Sequence, residues 1–546
     1  MAYVKPGVEI KQVQASATPI LNPADLPSVV VGPGYYVHPY GPATTSVGGD
    51  SYYTYSGTAL EVDLSNSNAS YNTIDSPDES LAIVDLVGKG GSAAGTITHL
   101  SDSQWSISGS KITIDASIGS FSTTNTAEVH ISYRTLRTDL NSYQVINSTS
   151  EISTKIGDPV SYNPLAFGVS VAMSNAGSAI GAYGIPKDAA DSVAVSDYES
   201  AMDDLLLNDV YAIAPAAQIA GLEAAMKTKV EAASVPAVKK ERIAITNTLI
   251  PTTNGKYRGQ GGLEDKAKVA GDVRDANAAF SKRVVRTHPD IAYIIENRHV
   301  NTLKVDWIAE SYANAGVSQY SATGLDEIDA YAKFTGTTNV GTKTYYYGDN
   351  ITDAIVTELI AAGVTEMNAY VPVPGWAYSA AVAGQSAGLA PEQPFTNMPV
   401  AGLLLTHGSQ DHFIEADLNT MAGGGAYVMT QKSAAAPIVS RHQVTTDVTS
   451  IAKRELSVTR AVDYSSKFIR QGLEPYIGRY NITPQFLKLF NSVLVAQGLF
   501  LVRNGVLNDF KVASVKVDET APDTILADIE ILVKYPVNYI KIQLIF

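Results

Sequence analysis

Residues 210–245 read VYAIAPAAQIAGLEAAMKTKVEAASVPAVKKERIAI, and this stretch decides the fold class. Val210 to Ala214 and Arg242 to Ile245 read as short strands. Between them Pro215 is expected to open a helix that continues to about Val230. Strand, helix, strand within about 35 residues implies parallel partners joined by a crossover, and so a sheet covered by helices.

The same alternation extends outward. Asp197 to Leu207 predicts a helix with Met202, Leu205 and Leu206 inward, and Ser28-Val-Val-Val-Gly32 reads as a buried strand closed by Gly-Pro-Gly. Thr352 to Ala362 predicts a helix ended by Gly363, and Met367 to Val371 a strand returning to the same sheet. From about Gly41 to Leu140 the composition shifts to Ser, Thr, Gly and Asn. Trp105-Ser-Ile-Ser-Gly-Ser-Lys-Ile-Thr-Ile114 is there a hairpin signature, two alternating runs around a two-residue Gly-Ser loop. Val129, Ile131 and Tyr133 continue that alternation, so a β-rich module interrupts the α/β pattern.

Toward the C-terminus, Arg460 to Tyr476 predicts a helix with Val462, Ile469, Leu473 and Tyr476 inward, ended by Gly478. Thr483 caps the next helix, with Pro484 in its first turn, Leu487, Phe490, Leu494 and Leu501 inward, and Asn504-Gly505 as its stop. Strands follow at Phe510 to Val517 and Ile525 to Tyr535, and Pro536 breaks the ladder. Tyr539 to Phe546 then alternates again, with Ile540, Ile542, Leu544 and Phe546 on one face. Val8, Ile10 and Val13 do the same near the start. Apolar strands at both ends need a sheet to receive them, and they mark candidate subunit-linking arms.

Composition narrows the class. The chain has 546 residues, 17% of them charged, with 30 Tyr against 12 Phe and 3 Trp. That length implies about three or four domains, and low charge with abundant Tyr suits surface that becomes interface. A net charge of −15 disfavours direct nucleic-acid binding, and the short basic group Lys282, Arg283, Arg286 reads as a solvated face. The absence of cysteine removes disulfides and thiolate chemistry. No signal peptide is expected after Lys5-Pro6-Gly7, and no membrane insertion is expected, since Leu165 to Ile185 is interrupted by Ser and Gly.

Candidate chemistry is sparse. Gly384-Gln-Ser386-Ala-Gly388 is a literal G-x-S-x-G that could present a nucleophile, with Asp411 or Asp417 and His442 as partners. No HGG-type oxyanion loop precedes it, and Leu389-Ala390-Pro391 makes a poor elbow helix, so a serine hydrolase is the weaker alternative. A β-rich surface or adhesin protein is another. His407, Asp411 and His412 match no zinc spacing. Gly88-Lys89-Gly90-Gly91 and Gly255-Lys256 lack P-loop order. The sequons at Asn68, Asn147 and Asn481 read as incidental. No catalytic, cofactor-binding or metal site is assigned.

Three stretches resemble contractile tail sheath proteins of bacteriophages and related contractile injection systems. Asn163-Pro-Leu-Ala-Phe-Gly-Val-Ser-Val-Ala-Met-Ser-Asn-Ala-Gly177 is similar to their "NPLAYAVxLAxxNGG" segment. Pro374-Gly-Trp-Ala-Tyr-Ser-Ala-Ala-Val-Ala-Gly384 is similar to "PPSGxVAGxYAR", and Val462-Asp-Tyr464 through Leu473-Glu-Pro-Tyr476 to an "IxxSLxxxxxxYV" helix. The strand, proline, strand ending is similar too. The resemblance covers residues 1–40 and most of 143–546.

It implies a structural subunit polymerising as stacked hexameric rings around a tail tube, with neighbours linked by strand exchange, that contracts to drive the tube through a bacterial envelope. Implied partners are further copies of the chain, the tail tube protein, and baseplate and tail terminator proteins. No cofactor is implied. The implied place is the virion tail, assembled in host cytoplasm.

The expected fold is therefore α/β (α+β) and multidomain, with helix-covered mixed sheets, an inserted all-β domain and strand arms at both ends. The expected division is 1–22 linking arm; 23–40 with 141–376 α/β domain, embellished at about 252–349; 41–140 inserted, outward-facing β domain; 377–535 C-terminal α+β domain; 536–546 linking strand.

Overall fold

The computed structural model describes residues 26–45, 51–64, 83–94, 97–100, 103–108, 110–185, 193–248, 266–277, 279–299, 333–338, 341–346, 366–404, 406, 413–433, 436–538 and 542–543. Its helices, numbered along the chain, are α1 Ser150–Lys155, α2 Pro164–Ala176, α3 Val195–Asp204, α4 Leu222–Ala233, α5 Lys266–Asp275, α6 Trp376–Gly388, α7 Glu415–Gly423, α8 Ile451–Arg454, α9 Leu456–Leu473 and α10 Pro484–Arg503.

A nine-stranded sheet organises the chain. Its order is Gln144–Ile146, Ile180–Gly184, Ser28–Gly32, Ala212–Pro215, Ile243–Asn247, Val284–His288, Ala426–Thr430, Ile438–Ser440, Pro399–Val400. The six strands from Ile180–Gly184 to Ala426–Thr430 run parallel, and antiparallel strands close both ends. Every residue of Ser28–Gly32 and of Ile243–Asn247 is buried. Parallel strands covered on both faces read as continuous apolar runs, and SVVVG is such a run.

Alternate residues of these strands feed two cores. Val30, Ala212, Ala214, Ile245 and Val285 pack with α2 and α6. Val29, Val31, Ile213, Ala244 and Val284 face the other way, onto α3 and α4. Each fully buried valine contributes roughly 1.5–3 kcal/mol. The crossover helix differs from its sequence reading: Pro215 ends the strand, and α4 starts only at Leu222, behind Gly221 at φ 84°. Pro215 is itself held in register opposite Val31, so the proline marks the strand's exit.

Residues 35–136 build separate sheets. One holds Tyr35–Pro42, Ala127–Leu136, Ile83–Gly88, Ile97–His99 and Thr54–Tyr55; the other holds Leu60–Asp63, Lys111–Ile114 and Trp105–Ser108. Val62, Leu86, Ile112, Ile114, Val129 and Ile131 form a core of their own between them. In the Trp105–Ile114 hairpin Ser108 sits opposite Lys111, and Ile112 and Ile114 point inward while Lys111 is exposed.

Glu366–Pro374 does not return to the parallel sheet, contrary to the reading of Met367 to Val371. It pairs antiparallel with Ile291–His299 in a four-stranded sheet that also holds Lys333–Thr338 and Gly341–Tyr346. Apolar strand residues alone do not specify which sheet they join, and the antiparallel partner here lies about 70 residues upstream. The helix read at Thr352 to Ala362 lies outside the described residues. The parallel sheet draws strands from both sides of residue 376, because Ala426–Thr430 pairs with Val284–His288.

In the last third, Thr483 caps α10 by accepting a hydrogen bond from the Phe486 N–H at 3.1 Å, and Gly505 at φ 77° lies just beyond its end. A two-stranded hairpin, Asp509–Val517 with Ile525–Leu532, then lays Val512, Val515, Ala527, Ile529 and Ile531 against the core. A side chain at Gly498 would overlap the Phe510 ring, so the close approach of α10 to the hairpin requires a glycine there.

Candidate assembly surface and the frame behind it

The three stretches that carry the sheath resemblance come together in one layer. Asn163 opens α2 and clamps the neighbouring strand: its Oδ1 accepts from the Tyr35 N–H at 3.0 Å and its Nδ2 donates to the Tyr35 carbonyl at 2.9 Å. Trp376 opens α6 and meets Phe167 of α2 edge-on, with ring centroids 5.9 Å apart. A side chain at Gly384 would overlap the Ala172 carbonyl, and one at Gly388 the Ala176 carbonyl. The two helices therefore touch backbone to backbone.

This disposes of the hydrolase reading of Gly384–Gly388. The pentapeptide is the last turn of α6 rather than a strand-to-helix elbow, and Ser386 is fully buried with no hydrogen-bond partner for its hydroxyl. Of the proposed partners, Asp417 accepts from the Ile414 N–H at the start of α7, His442 lies 3.0 Å from Glu455, and Asp411 lies outside the described residues. The residue spacing was a helix-packing motif, with glycines four apart on one face.

Helix α9, the third stretch, is bolted to this layer by charge. Arg460 is fully buried; its Nη2 donates to the carbonyls of Ser386 at 2.7 Å and Leu389 at 2.8 Å, and its guanidinium lies 4.8 Å from the Phe395 ring centroid. These carbonyls end α6, where a cation complements the helix dipole. Burial pulls the Arg460 guanidinium down to about 10.

The basic group read as a solvated face is instead part of this frame. Arg283 Nη1 and Nη2 grip the Asp463 carboxylate at 2.7 and 2.9 Å, and the Tyr211 hydroxyl donates to the same carboxylate at 3.0 Å. Arg286 is buried and donates to the Val273 carbonyl at 2.8 Å, and Lys282 is half-buried. Burial pulls the Arg283 guanidinium down, but the Asp463 carboxylate outweighs it and leaves it above its ordinary value. Burial, with Asp463 beside it, pushes the Tyr211 hydroxyl well up. Arg470 adds a second tie, to Glu241 at 3.1 Å. A buried face of α9 made of Arg460, Asp463, Ser466 and Arg470 is hidden from a purely apolar periodicity, which is why Val462 stands only half-buried.

Of the linking residues, Val8, Ile10, Val13, Ile540, Leu544 and Phe546 lie outside the described residues; Ile542 is described and is 79% exposed. The root of the C-terminal segment is fixed. Glu455 is fully buried, and its carboxylate takes contacts from His442 Nε2 at 3.0 Å, Arg454 Nη2 at 2.9 Å, Gln443 Nε2 at 3.3 Å and Asn538 Nδ2 at 3.0 Å. Burial pushes this carboxyl up, but His442 and Arg454 outweigh it and hold it below its ordinary range. The nearby hairpin, among the described residues, pairs only with itself, so both its outer edges carry free ladder groups. α10, long and apolar enough to cross a membrane with a mean hydropathy of 1.5, leaves Leu489, Val495, Leu499 and Phe500 exposed.

His407, Asp411 and His412 lie outside the described residues, and among the described residues no cluster of three metal-binding side chains occurs.

No family model matches the chain, and no curated protein matches it. Among solved structures, the chain is similar to the helical sheath of the anti-feeding prophage in its contracted state, with a TM-score of 0.46 and 10% identity over 100% of this chain and 99% of that one. It is also similar to the sheath tail protein from Desulfitobacterium hafniense, with a TM-score of 0.39, 9% identity and coverage of 97% and 100%. A third similarity is to the sheath complex of an extracellular contractile injection system in its contracted state, with a TM-score of 0.43, 13% identity and coverage of 74% and 86%.

Proposed function

We propose that this protein is the structural subunit of a contractile tail sheath, polymerising as stacked hexameric rings around a tail tube and contracting to drive the tube through a bacterial envelope. The observation that carries the reading is the convergence of α2, α6 and α9: three stretches with sheath-like wording, distant in sequence, pack as one layer held by paired glycines and by Arg460. A rigid body of this kind is what a subunit needs if work is done by moving bodies against one another.

The links between subunits are the ends. The strands Val8–Val13 and Tyr539–Phe546 act by β-augmentation on a neighbour, and the terminal hairpin, with two open edges, is the surface that receives them. The apolar side of α10 closes against a neighbouring subunit or the tube. Baseplate and terminator proteins cap the polymer, the 35–136 sheets face outward, and assembly takes place in host cytoplasm before incorporation into the virion tail. No reaction is assigned, and the chemistry of the site is mechanical.

Negative-stain microscopy of the purified protein tests this: hollow tubes of stacked rings are expected, and uniformly small particles under all conditions overturn it.

A further inference from the structure

The most exposed aromatic ring among the described residues is that of Phe280, at 64%. Single exposed apolar residues are ordinary and call for no account. This one, however, is also held in the left-handed region, at φ 44°, where a bulky side chain is strained. The loop that carries it is tied on both sides. Asn277 is buried; it accepts from the Phe280 N–H at 3.3 Å and donates to the carbonyls of Gly424 at 2.7 Å and Thr446 at 2.8 Å. The Ser281 N–H donates to the Thr446 hydroxyl at 3.0 Å, and the Ser281 hydroxyl donates to Glu231 of α4 at 2.6 Å. Tyr480 and Phe500, the next most exposed rings, stack on Phe486 and Phe468. Phe280 stacks on no ring among the described residues. The ties hold a strained residue in place with its ring turned to solvent.

The same chain carries a socket of matching size. An open cavity of about 160 Å³ lies between α3 and α4, walled by Met202, Leu206, Ala232, Ala233 and Val238, and an apolar cavity of about 150 Å³ holds a benzene ring. Lys229 and Asp203, which also line it, neutralise each other at 2.6 Å, and Arg242 has its Nη2 bonded to the carbonyls of Leu205 and Asn208. Two residues along a helix turn it by about 200°, so Glu231, which holds Ser281, and Lys229, which lines the cavity, point to different flanks of α4. Phe280 thus stands on one side of the helix and the empty socket on the other, and the ring that fits the socket is a second copy's.

We propose that Phe280 is an anchor that inserts into the cavity between α3 and α4 of another copy of this chain. A knob and a socket on different surfaces make a head-to-tail contact, the kind that closes into rings or continues as a helical array. The contact goes beyond the sheath reading and does not involve the terminal strands.

Sedimentation of the full-length protein over a concentration series tests it. The wild type should self-associate, and Phe280→Gly should raise the concentration of half-association at least about tenfold. The same variant should melt at the wild-type temperature or above it, because glycine relieves the positive φ. Ala232→Phe, which fills the socket from its exposed rim, should weaken association by a similar factor. Mixed in equal amounts the two variants should associate more tightly than either alone, since Phe280→Gly keeps the socket and Ala232→Phe keeps the knob. A wild type that stays monomeric, wild-type association by either variant, or a mixture no tighter than its components overturns the proposal. So does a lowered melting temperature of Phe280→Gly, which would place the ring in its own subunit's core. The two readings fail separately: tubes together with Phe280→Gly associating like the wild type remove only the knob, and small particles in microscopy together with Phe280-dependent pairing in sedimentation remove only the sheath.

Discussion

At the scale of single residues the molecule rests on buried charges that each have a partner. Asp463 is held by Arg283 and Tyr211, and removing its charge strands a buried guanidinium. Asp463→Asn should therefore cost about 3–5 kcal/mol in a denaturant titration, far more than an exposed pair would. Ser386→Ala should be neutral or slightly stabilising, within about 1 kcal/mol, because the hydroxyl has no partner to lose. The same variant and the wild type should both fail to hydrolyse activated esters. Glu455 gives a pH signature. Its folded value lies below the ordinary 4.5, so its stabilisation is complete above that value and is lost as pH falls through the depressed folded value. Thermal melts of wild type against Glu455→Gln should show a shallower acid slope in the variant. These residues were hard to read from sequence. Arg283 and Arg286 look like surface in a string of letters, and only the position of α9 reveals that they are enclosed.

At the scale of elements, the strands and caps whose signals are local were legible. The Trp105–Ile114 hairpin and the Thr483 cap are set by neighbours within a few residues, and Ser28–Gly32 is marked by its own unbroken apolar run although its partners are distant. Elements set by distant partners were not. Pro215 has the same chemistry at a strand end as at a helix start, and Glu366–Pro374 chose an antiparallel partner that no local pattern names. The packing of α10 on the hairpin depends on one missing side chain, so Gly498→Leu should push Phe510 out and cost at least about 1–3 kcal/mol, measured by chemical denaturation. The terminal segment obeys different physics. Each net hydrogen bond of an added strand is worth about 0.5–1.5 kcal/mol, so truncation after Pro536 should leave a folded monomer and abolish tubes in sedimentation and microscopy. A truncated protein that unfolds would place that strand in its own subunit's core.

At the scale of the whole molecule, the chain enters and leaves the 35–136 sheets side by side. The Arg137 N–H donates to the Gly34 carbonyl at 2.8 Å, so the chain leaves and returns at adjacent residues. Joining Gly34 to Arg137 through a two-residue linker should give soluble protein that still polymerises, since the removed part carries its own core. Insoluble product would show that the body needs those strands. The order of the great sheet also has a consequence for synthesis. Ser28–Gly32, the third of its nine strands, emerges early, yet the last parallel strand, Ala426–Thr430, emerges some four hundred residues later. On the ribosome at about 5–20 residues per second, the sheet waits tens of seconds for its full set of parallel strands. The hairpin at 509–532 is made later still. A nascent subunit thus gains the hairpin edges proposed to receive a neighbour's strand only after its own sheet can close.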